Sequence, residues 1–519
     1  VFARWAHNGI VITVTTTGPG NRDKKYTVTA TVKDGNGVAL QGIIVDIEAL
    51  YSSSSGTGWT SAHLGLSTNS SGQVNANYDA TLAGAGDREM GILFYAIELT
   101  SKTFVSAEKQ ITTDGSSPMI YSFDGEEYHL EHEPISFKLL KSIEGSSYGT
   151  LRLLEDVNGK YYIQVVEEGS SITVMDNLKL YAVDYINDGT ILDLFFDIYG
   201  NPHTIKERLT PISFTDQYGI SYLEGITTKG DGFFAQTDMN RDDVISYLTA
   251  TFARPTNSDS AKLMVTLKDT GDALKAMHEM FMLFNAKQNL WWIDQALAHQ
   301  DVQPLIQNVF NSLHVKVQVW NGISWVDQGI VELGSYLMEE FLVPLDLTDI
   351  NTQNLVVRFV YPTRGGYMFD SVAVDYSENV EMNIIELDLV SALMNGDIDV
   401  LDKVISANNQ YVELAHKEYV EFAFAAPALQ EGYSRGFGVK MTGYIYAEGS
   451  TVTDELQPMM EGKTFEEIVD IIIASGRQEL IDDIEIVSNF YYVITQIGAL
   501  EYEDLLRELF NFMPQEEWN

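Results

Sequence analysis

The chain has 519 residues, 45% of them hydrophobic and 11% aromatic, which is length for about three domains with their own cores and argues against a disordered polymer. Lys plus Arg number 32 against 74 Asp plus Glu, a formal charge of −42. Such a surface repels nucleic-acid phosphates and attracts cations such as Ca2+. The absence of cysteine excludes disulfides, thiolate zinc sites, iron–sulfur clusters and Cys nucleophiles.

The acidity also has a plain alternative use, keeping a protein soluble in a salty habitat. A large secreted animal protein without cysteine would be unusual, so a bacterial or archaeal source is expected. The numbering opens on Val1, as in a mature chain after removal of a signal peptide. No apolar run approaches the roughly 20 residues of a membrane span; Ile471-Ile472-Ile473 and the 281–284 stretch are short and interrupted.

Residues 1–113 alternate strand-like runs with Gly, Asn and Ser turns. Ile10–Thr15 and Tyr26–Val32 are β-branched strands, Asp34-Gly35-Asn36-Gly37 is a tight turn, and Gly42–Ala49 is a further strand. The order Val32-Lys33-Asp34-Gly35-Asn36-Gly37, then Leu40-Gln41-Gly42-Ile43-Ile44-Val45, then Thr68 to Val74 resembles the bacterial immunoglobulin-like domains of the invasin and intimin type. One departure is Leu40, where that family often has Pro. The resemblance covers about a fifth of the chain. It implies a β-sandwich used as a stalk, spacer or assembly module at a cell surface, and no catalytic residues. Within it, Ile10, Val11, Ile12 and Val14 are candidates for a donor strand that completes a neighbour's sheet; the alternative is the first strand of this domain's own sheet. Asn69-Ser70-Ser71 is an N-glycosylation sequon on an expected turn.

A boundary is placed at Asp114–Pro118, and a first β module is expected over 114–268. Its landmarks, Phe123-Asp124-Gly125-Glu126-Glu127-Tyr128, Glu155–Asn158 before the strand Tyr161–Val166, and Ala182-Val183-Asp184-Tyr185, recur in order. The second set is Trp320-Asn321-Gly322-Ile323-Ser324-Trp325, Thr348–Asn351 before Leu355–Val360, and Ala373-Val374-Asp375-Tyr376. An internal duplication is the natural reading, with the second module and return strands over 313–450. Between the modules Leu274, Met277, Phe281, Phe284, Leu290, Ile293 and Leu297 recur at helical spacing, predicting a helical insertion over 269–312. Residues 451–519 are expected to be helical, with Thr464 and Glu467 as a capping box. The fold class is therefore mainly β: an immunoglobulin-like sandwich, then duplicated β modules with a helical insertion and a helical C-terminal tail.

Asp238, Asn240 and Asp242 have the D-x-N-x-D spacing of a calcium loop, although Asp243 replaces the usual Gly and Thr249 the closing Glu; the alternative is an acidic turn. His129-Leu130-Glu131-His132-Glu133 would split its two imidazoles across a strand, so ordinary hydrogen-bonded histidines are expected there. Trp291, Trp292, Trp320 and Trp325 could stack on sugars, but Trp320 and Trp325 read more naturally as a cross-strand core pair. No nucleophile elbow, P-loop or dinucleotide fingerprint is recognised. These features predict a secreted structural subunit of a prokaryotic surface layer, sheath or filament, partnered by copies of itself. A monomeric adhesin or carbohydrate-binding protein is the alternative, with other surface proteins or glycans as partners, and a secreted hydrolase the second alternative.

Overall fold

The computed structural model describes residues 3–7, 10–17, 25–34, 38–53, 59–79, 89–98, 103–109, 118–135, 138, 141–168, 171–230, 234–237, 243–256, 258–269, 302–332, 337–363, 367–408, 410–447, 457–460, 462–477, 481 and 484–512. The fold is mainly β, with antiparallel sheets throughout and a small helical tail. The N-terminal region comprises β1 (Ala3–His7), β2 (Ile10–Thr17), β3 (Lys25–Asp34), β4 (Ile44–Ser53), β5 (Trp59–Ser67), β6 (Gln73–Asp79), β7 (Glu89–Glu98) and β8 (Thr103–Lys109). They form two four-stranded sheets in the orders β1-β2-β3-β6 and β5-β4-β7-β8.

Beyond Pro118 the chain runs through β9 (Pro118–Phe123), β10 (Tyr128–His132), β11 (Gly145–Leu151), β12 (Lys160–Glu167) and β13 (Ser171–Ile186). A hairpin follows, β14 (Asp193–Phe196) and β15 (Pro202–Ile205), then β16 (Ser213–Asp216), β17 (Ile245–Ala253) and β18 (Ser260–Asp269). After helix α1 (Gln303–Leu313) come β19 (Val315–Trp320), β20 (Trp325–Val331), β21 (Glu339–Asp346), β22 (Asn354–Pro362) and β23 (Tyr367–Asp375). The last strands are β24 (Met382–Glu386), β25 (Asp388–Met394), β26 (Ile398–Asp399), β27 (Val412–Leu414), β28 (Tyr419–Ala425) and β29 (Tyr433–Ala447), with the short helix α2 (Leu401–Val404) before β27.

Strand pairing corrects the expected boundaries at 268 and 313. The first sandwich packs sheet β10-β9-β12-β28-β25-β26 against β11-β29-β13-β24, so residues 388–447 complete a body begun at 118. The second packs β16-β17-β22-β19-β20 against β21-β18-β23. It is spliced whole into the first between β13 and β24. β17 and β18, expected in the first module, belong to the second. The cause is parity: β28 buries Val420, Phe422 and Phe424 against the same core as Ile163 and Val165 of β12, while β17 buries Leu248, Ala250 and Phe252 beside Phe359 of β22.

The repeat read from sequence occupies equivalent places in the two bodies. The order β10-β9-β12-β28 over β11-β29-β13 matches β20-β19-β22-β17 over β21-β18-β23. The completing pair follows the five repeated strands in the first body and precedes them in the second, a circular permutation. The repeated Ala-Val-Asp-Tyr strands carry the same device: Asp184 sits opposite Arg435 and Asp375 opposite Lys262, each acid facing a cation across the ladder. Phe123 pairs with Tyr128 and Trp320 with Trp325 at matching hairpins.

The hairpin β14–β15 is a wedge between the sandwiches. Successive residues of β14 face opposite ways, so Phe195 packs with Met264, Leu342 and Ala373 of the second body while Leu194 and Phe196 pack with Val183 of the first. Room for the latter pair comes from β29, where a Cβ on Gly438 would lie 2.4 Å from the Phe196 ring and one on Gly436 2.7 Å from Leu194. Gly438→Val is therefore expected to destabilise the fold by about 1–3 kcal/mol through overpacking, read as a lower urea midpoint.

The C-terminal helices are α3 (Gln457–Met460), α4 (Phe465–Ser475), α5 (Ile484–Ile497) and α6 (Tyr502–Phe512). The capping box is present: Glu467 N–H donates to Thr464 Oγ1 at 3.2 Å, and Thr464 N–H to Glu467 Oε2 at 3.0 Å. Their apolar stripe covers the second core through Phe465, Ile468, Ile472, Ile494 and Leu505, beside Ile306 and Phe310 of α1. The stripe's partner surface thus lies in the chain's own second sandwich. No described helix is long and apolar enough to cross a membrane. The predicted insertion's Leu274 to Leu297 stripe, with Trp291 and Trp292, lies outside the described residues.

Candidate functional site: the joint between the nested sandwiches

A charged cluster surrounds the wedge. Glu340, whose side chain is 2% exposed, is the second residue of β21 and accepts hydrogen bonds from Arg208 and, at 2.6 Å, from Lys229 Nζ; Arg152 Nη2 stands 3.8 Å away. Asp193 at the start of β14 holds Arg208 at 3.0 Å and Arg152 at 3.4 Å. Both guanidiniums lie over the Phe195 ring, at 4.6 Å for Arg152 and 5.6 Å for Arg208. Arg152 follows β11 of the first body, Glu340 belongs to the second, Asp193 opens the wedge and Arg208 follows it, so the cluster ties all three together. Burial alone would push the Glu340 carboxyl up; hydrogen bonding from Arg208 and the charges of Lys229 and Arg208 outweigh it and hold the pKa below the ordinary value.

Glu339 faces the first sandwich instead. It accepts from the Glu133 backbone N–H at 2.7 Å and pairs with His132 Nδ1 at 3.0 Å. His132 is turned there by a register shift between Leu130 and His132, while His129 pairs with Asp124 at 2.7 Å. The two histidines are separated and hydrogen-bonded, and among the described residues no group of three His, Asp or Glu is arranged to hold a metal. A cleft of about 140 Å³ opens here, lined in part by Glu131, His132, Lys138, His314, Glu332 and Glu339.

His314, which caps the C-terminus of α1, is buried. Burial first, and the Lys138 charge second, depress its pKa from 6.5 to about 3. The unfolded state therefore binds a proton that the folded state refuses between those values. This stability is complete above pH ~6.5 and lost as pH falls toward 3, at up to about 1.4 kcal/mol per pH unit. Urea midpoints measured across that window are expected to fall steeply in the wild type and less steeply in His314→Gln.

The remaining candidates are dispersed. Asp238, Asn240 and Asp242 lie outside the described residues. Ile10, Val11, Ile12 and Val14 sit in β2, whose two edges are taken by β1 and β3 of the same chain; strand donation by this segment would have to displace one of them. Asn69 is exposed on the turn after β5, its Oδ1 accepting the N–H groups of Ser71 and Gln73 at 2.9 and 3.0 Å. Trp320 and Trp325 are a cross-strand pair with centroids 5.5 Å apart, but not a core pair: β19 buries Val315, Val317 and Val319, and Trp320 takes the opposite parity. Arg358 stacks between Trp325 at 4.3 Å and Tyr247 at 5.1 Å on that outward face.

Gly432-Tyr433-Ser434-Arg435-Gly436 does have nucleophile-elbow spacing, which the sequence reading passed over. It opens the strand β29, with Ser434 opposite Tyr185 and Arg435 bonded to Asp184 at 2.6 Å, so there is no strand-to-helix turn and no elbow. The joint was missed for another reason. Among 74 acidic residues Glu340 looks like any solvated Glu, and the available hint was the scarcity of cations, three of which converge on it.

No family model matches the chain, and no curated protein does. Among solved structures it is weakly similar to a mutant alpha-2-macroglobulin of Salmonella, at 7% identity and a TM-score of 0.16 over 84% of this chain. The match takes in 48% of that protein, so this chain spans about half its length.

Proposed function

We propose that the chain is a non-catalytic structural subunit of a prokaryotic extracellular assembly, exported to the cell surface and built from copies of itself through β-domain contacts. The observation that carries this reading is the nested joint. The chain crosses between the sandwiches on leaving and again on returning, the wedge is buried on both faces, and the Glu340 cluster fixes their mutual orientation. Such a body transmits load through two covalent connections instead of one, which suits a lattice or filament element. The N-terminal resemblance to surface stalk domains supports the same reading. At a charge of −42, copies repel one another unless cations bridge them, so Ca2+ is the expected assembly ion. Negative-stain microscopy of native material should show ordered polymers or lattices that loosen with a chelator. Uniformly single particles with and without calcium would overturn the reading.

A second reading, carbohydrate binding, is favoured by the outward Trp320, Trp325, Arg358 and Tyr247 face, which offers apolar rings beside polar groups. A glycan array with the wild type and Trp325→Ala separates the two.

A further inference from the structure

The point where the chain leaves β23 to return to the first sandwich holds an amine, a carboxylate and a carboxamide in one cluster. Lys262 Nζ donates to the Thr204 carbonyl at 2.5 Å and lies 3.3 Å from Asp375 Oδ2, 3.3 Å from Ser377 Oγ and 3.5 Å from Asn379 Oδ1. The Lys262 and Asp375 side chains are 7% and 0% exposed. The Asn379 amide is oriented at both ends: Oδ1 accepts the Thr204 N–H at 3.0 Å, and Nδ2 lies 3.3 Å from His203 Nδ1. His203 Nε2 is in turn 3.0 Å from Asp197 Oδ2. A proton on Nε2 shared with Asp197 leaves the Nδ1 lone pair facing Nδ2.

We infer that this cluster forms an intramolecular amide bond between Lys262 and Asn379. Asp375 takes a proton from the Lys262 ammonium, and the freed Nζ attacks Asn379 Cγ. Charge developing on Oδ1 is met by the Thr204 N–H, a fixed donor of the kind that stabilises tetrahedral intermediates. The Cγ–Nδ2 bond then breaks as the protons shed by Nζ, one of them held by Asp375, are relayed through water at the exposed end of the cluster to Nδ2, which His203 Nδ1 orients by accepting one of its N–H groups. Of the three ammonium protons one stays on the new amide and two end on Nδ2, which leaves as ammonium; no oxidant or cofactor is consumed. Burial lowers the Lys262 pKa against the opposing pull of Asp375, easing the first step. Asn379 stands at the exposed end of the cluster, which gives the ammonium a way out. Holding amine and amide in contact replaces a bimolecular encounter with an intramolecular one. The equivalent place in the first sandwich pairs Asp184 with Arg435, whose guanidinium is no nucleophile. The bond would fasten β18 to the returning segment, closing a loop of 117 positions.

Intact-mass spectrometry of the full chain, with a tryptic map, tests this. The wild type should be short by the mass of one ammonia and yield a branched peptide joining Lys262 to Asn379. Lys262→Arg and Asn379→Ala should each restore the full mass expected for their sequence. Unmodified tryptic peptides at both positions in the wild type overturn the inference. So does a mass deficit that persists in either variant, or conversion of Asn379 to Asp without a branched peptide.

Discussion

Replacing Glu340 by Ala should lower the unfolding free energy by about 2–3 kcal/mol. Removing one partner of a fully buried ion pair costs about 3–5 kcal/mol, because the other charge is left desolvated. Here the stranded cations are Arg208, Lys229 and Arg152, with side chains 31%, 48% and 37% exposed, so each can turn toward water and recover part of its hydration. That places the expected loss at the lower end. Glu340→Gln keeps the shape and some hydrogen bonding but not the charge, and should lie between wild type and Glu340→Ala. Arg208→Ala should cost less than Glu340→Ala, since Lys229 still neutralises the carboxylate. Urea unfolding supplies the energies. Hydrogen exchange should show β14–β15 losing protection first, because the wedge's own hairpin has only four residues in each strand. Equal costs for Glu340→Ala and Arg208→Ala would show that the carboxylate is not the centre of the cluster.

Phe359→Ala should cost more, about 3–5 kcal/mol. The side chain is fully buried in the central strand of the second sandwich, with ring centroids 6.1 Å from Phe214 and 5.3 Å from Phe369. Truncation loses the transfer free energy of the ring, leaves a cavity that rigid aromatic neighbours fill poorly, and removes one edge-on and one tilted ring contact. The β22 backbone would still pair with β17 and β19, so loosened packing is expected before loss of the sheet. Val326→Ala, at an exposed position on the neighbouring hairpin, should stay within about 0.5 kcal/mol. Fluorescence-detected urea unfolding compares them directly, since Trp320 and Trp325 sit on this sheet.

Local patterns carried much of this architecture. Thr464 and Glu467 announced a helix start because a capping box is a contact three residues apart. The aromatic hairpins and the Ala-Val-Asp-Tyr strands revealed the duplication because each is a short segment whose alternation is visible in itself. Nesting was not visible, because it depends on which strand pairs with which. Gln164 meets Glu421 across 257 positions, and no feature within β12 names β28 as its neighbour. The same distance hid the joint, whose members Arg152, Asp193, Arg208, Lys229 and Glu340 come from five separate segments. Leu194-Phe195-Phe196 was the one local trace, since a run apolar on both faces is what a strand buried on both sides requires. The hairpin spacing correctly paired Trp320 with Trp325 across the strands, but it does not say which face they take, and the parity of β19 turns Trp320 outward.

Splicing of one sandwich into the other can be read from a single cross-link, because a chain without cysteine gives engineered thiols no competing partner. Gln164→Cys and Glu421→Cys place two thiols directly opposite on β12 and β28. Mild oxidation of the monomer should produce one disulfide joining the two peptides, formed readily and without loss of folded signal. Free thiols after oxidation of the folded monomer would mean that β28 does not lie beside β12, and that the sandwiches follow one another in series.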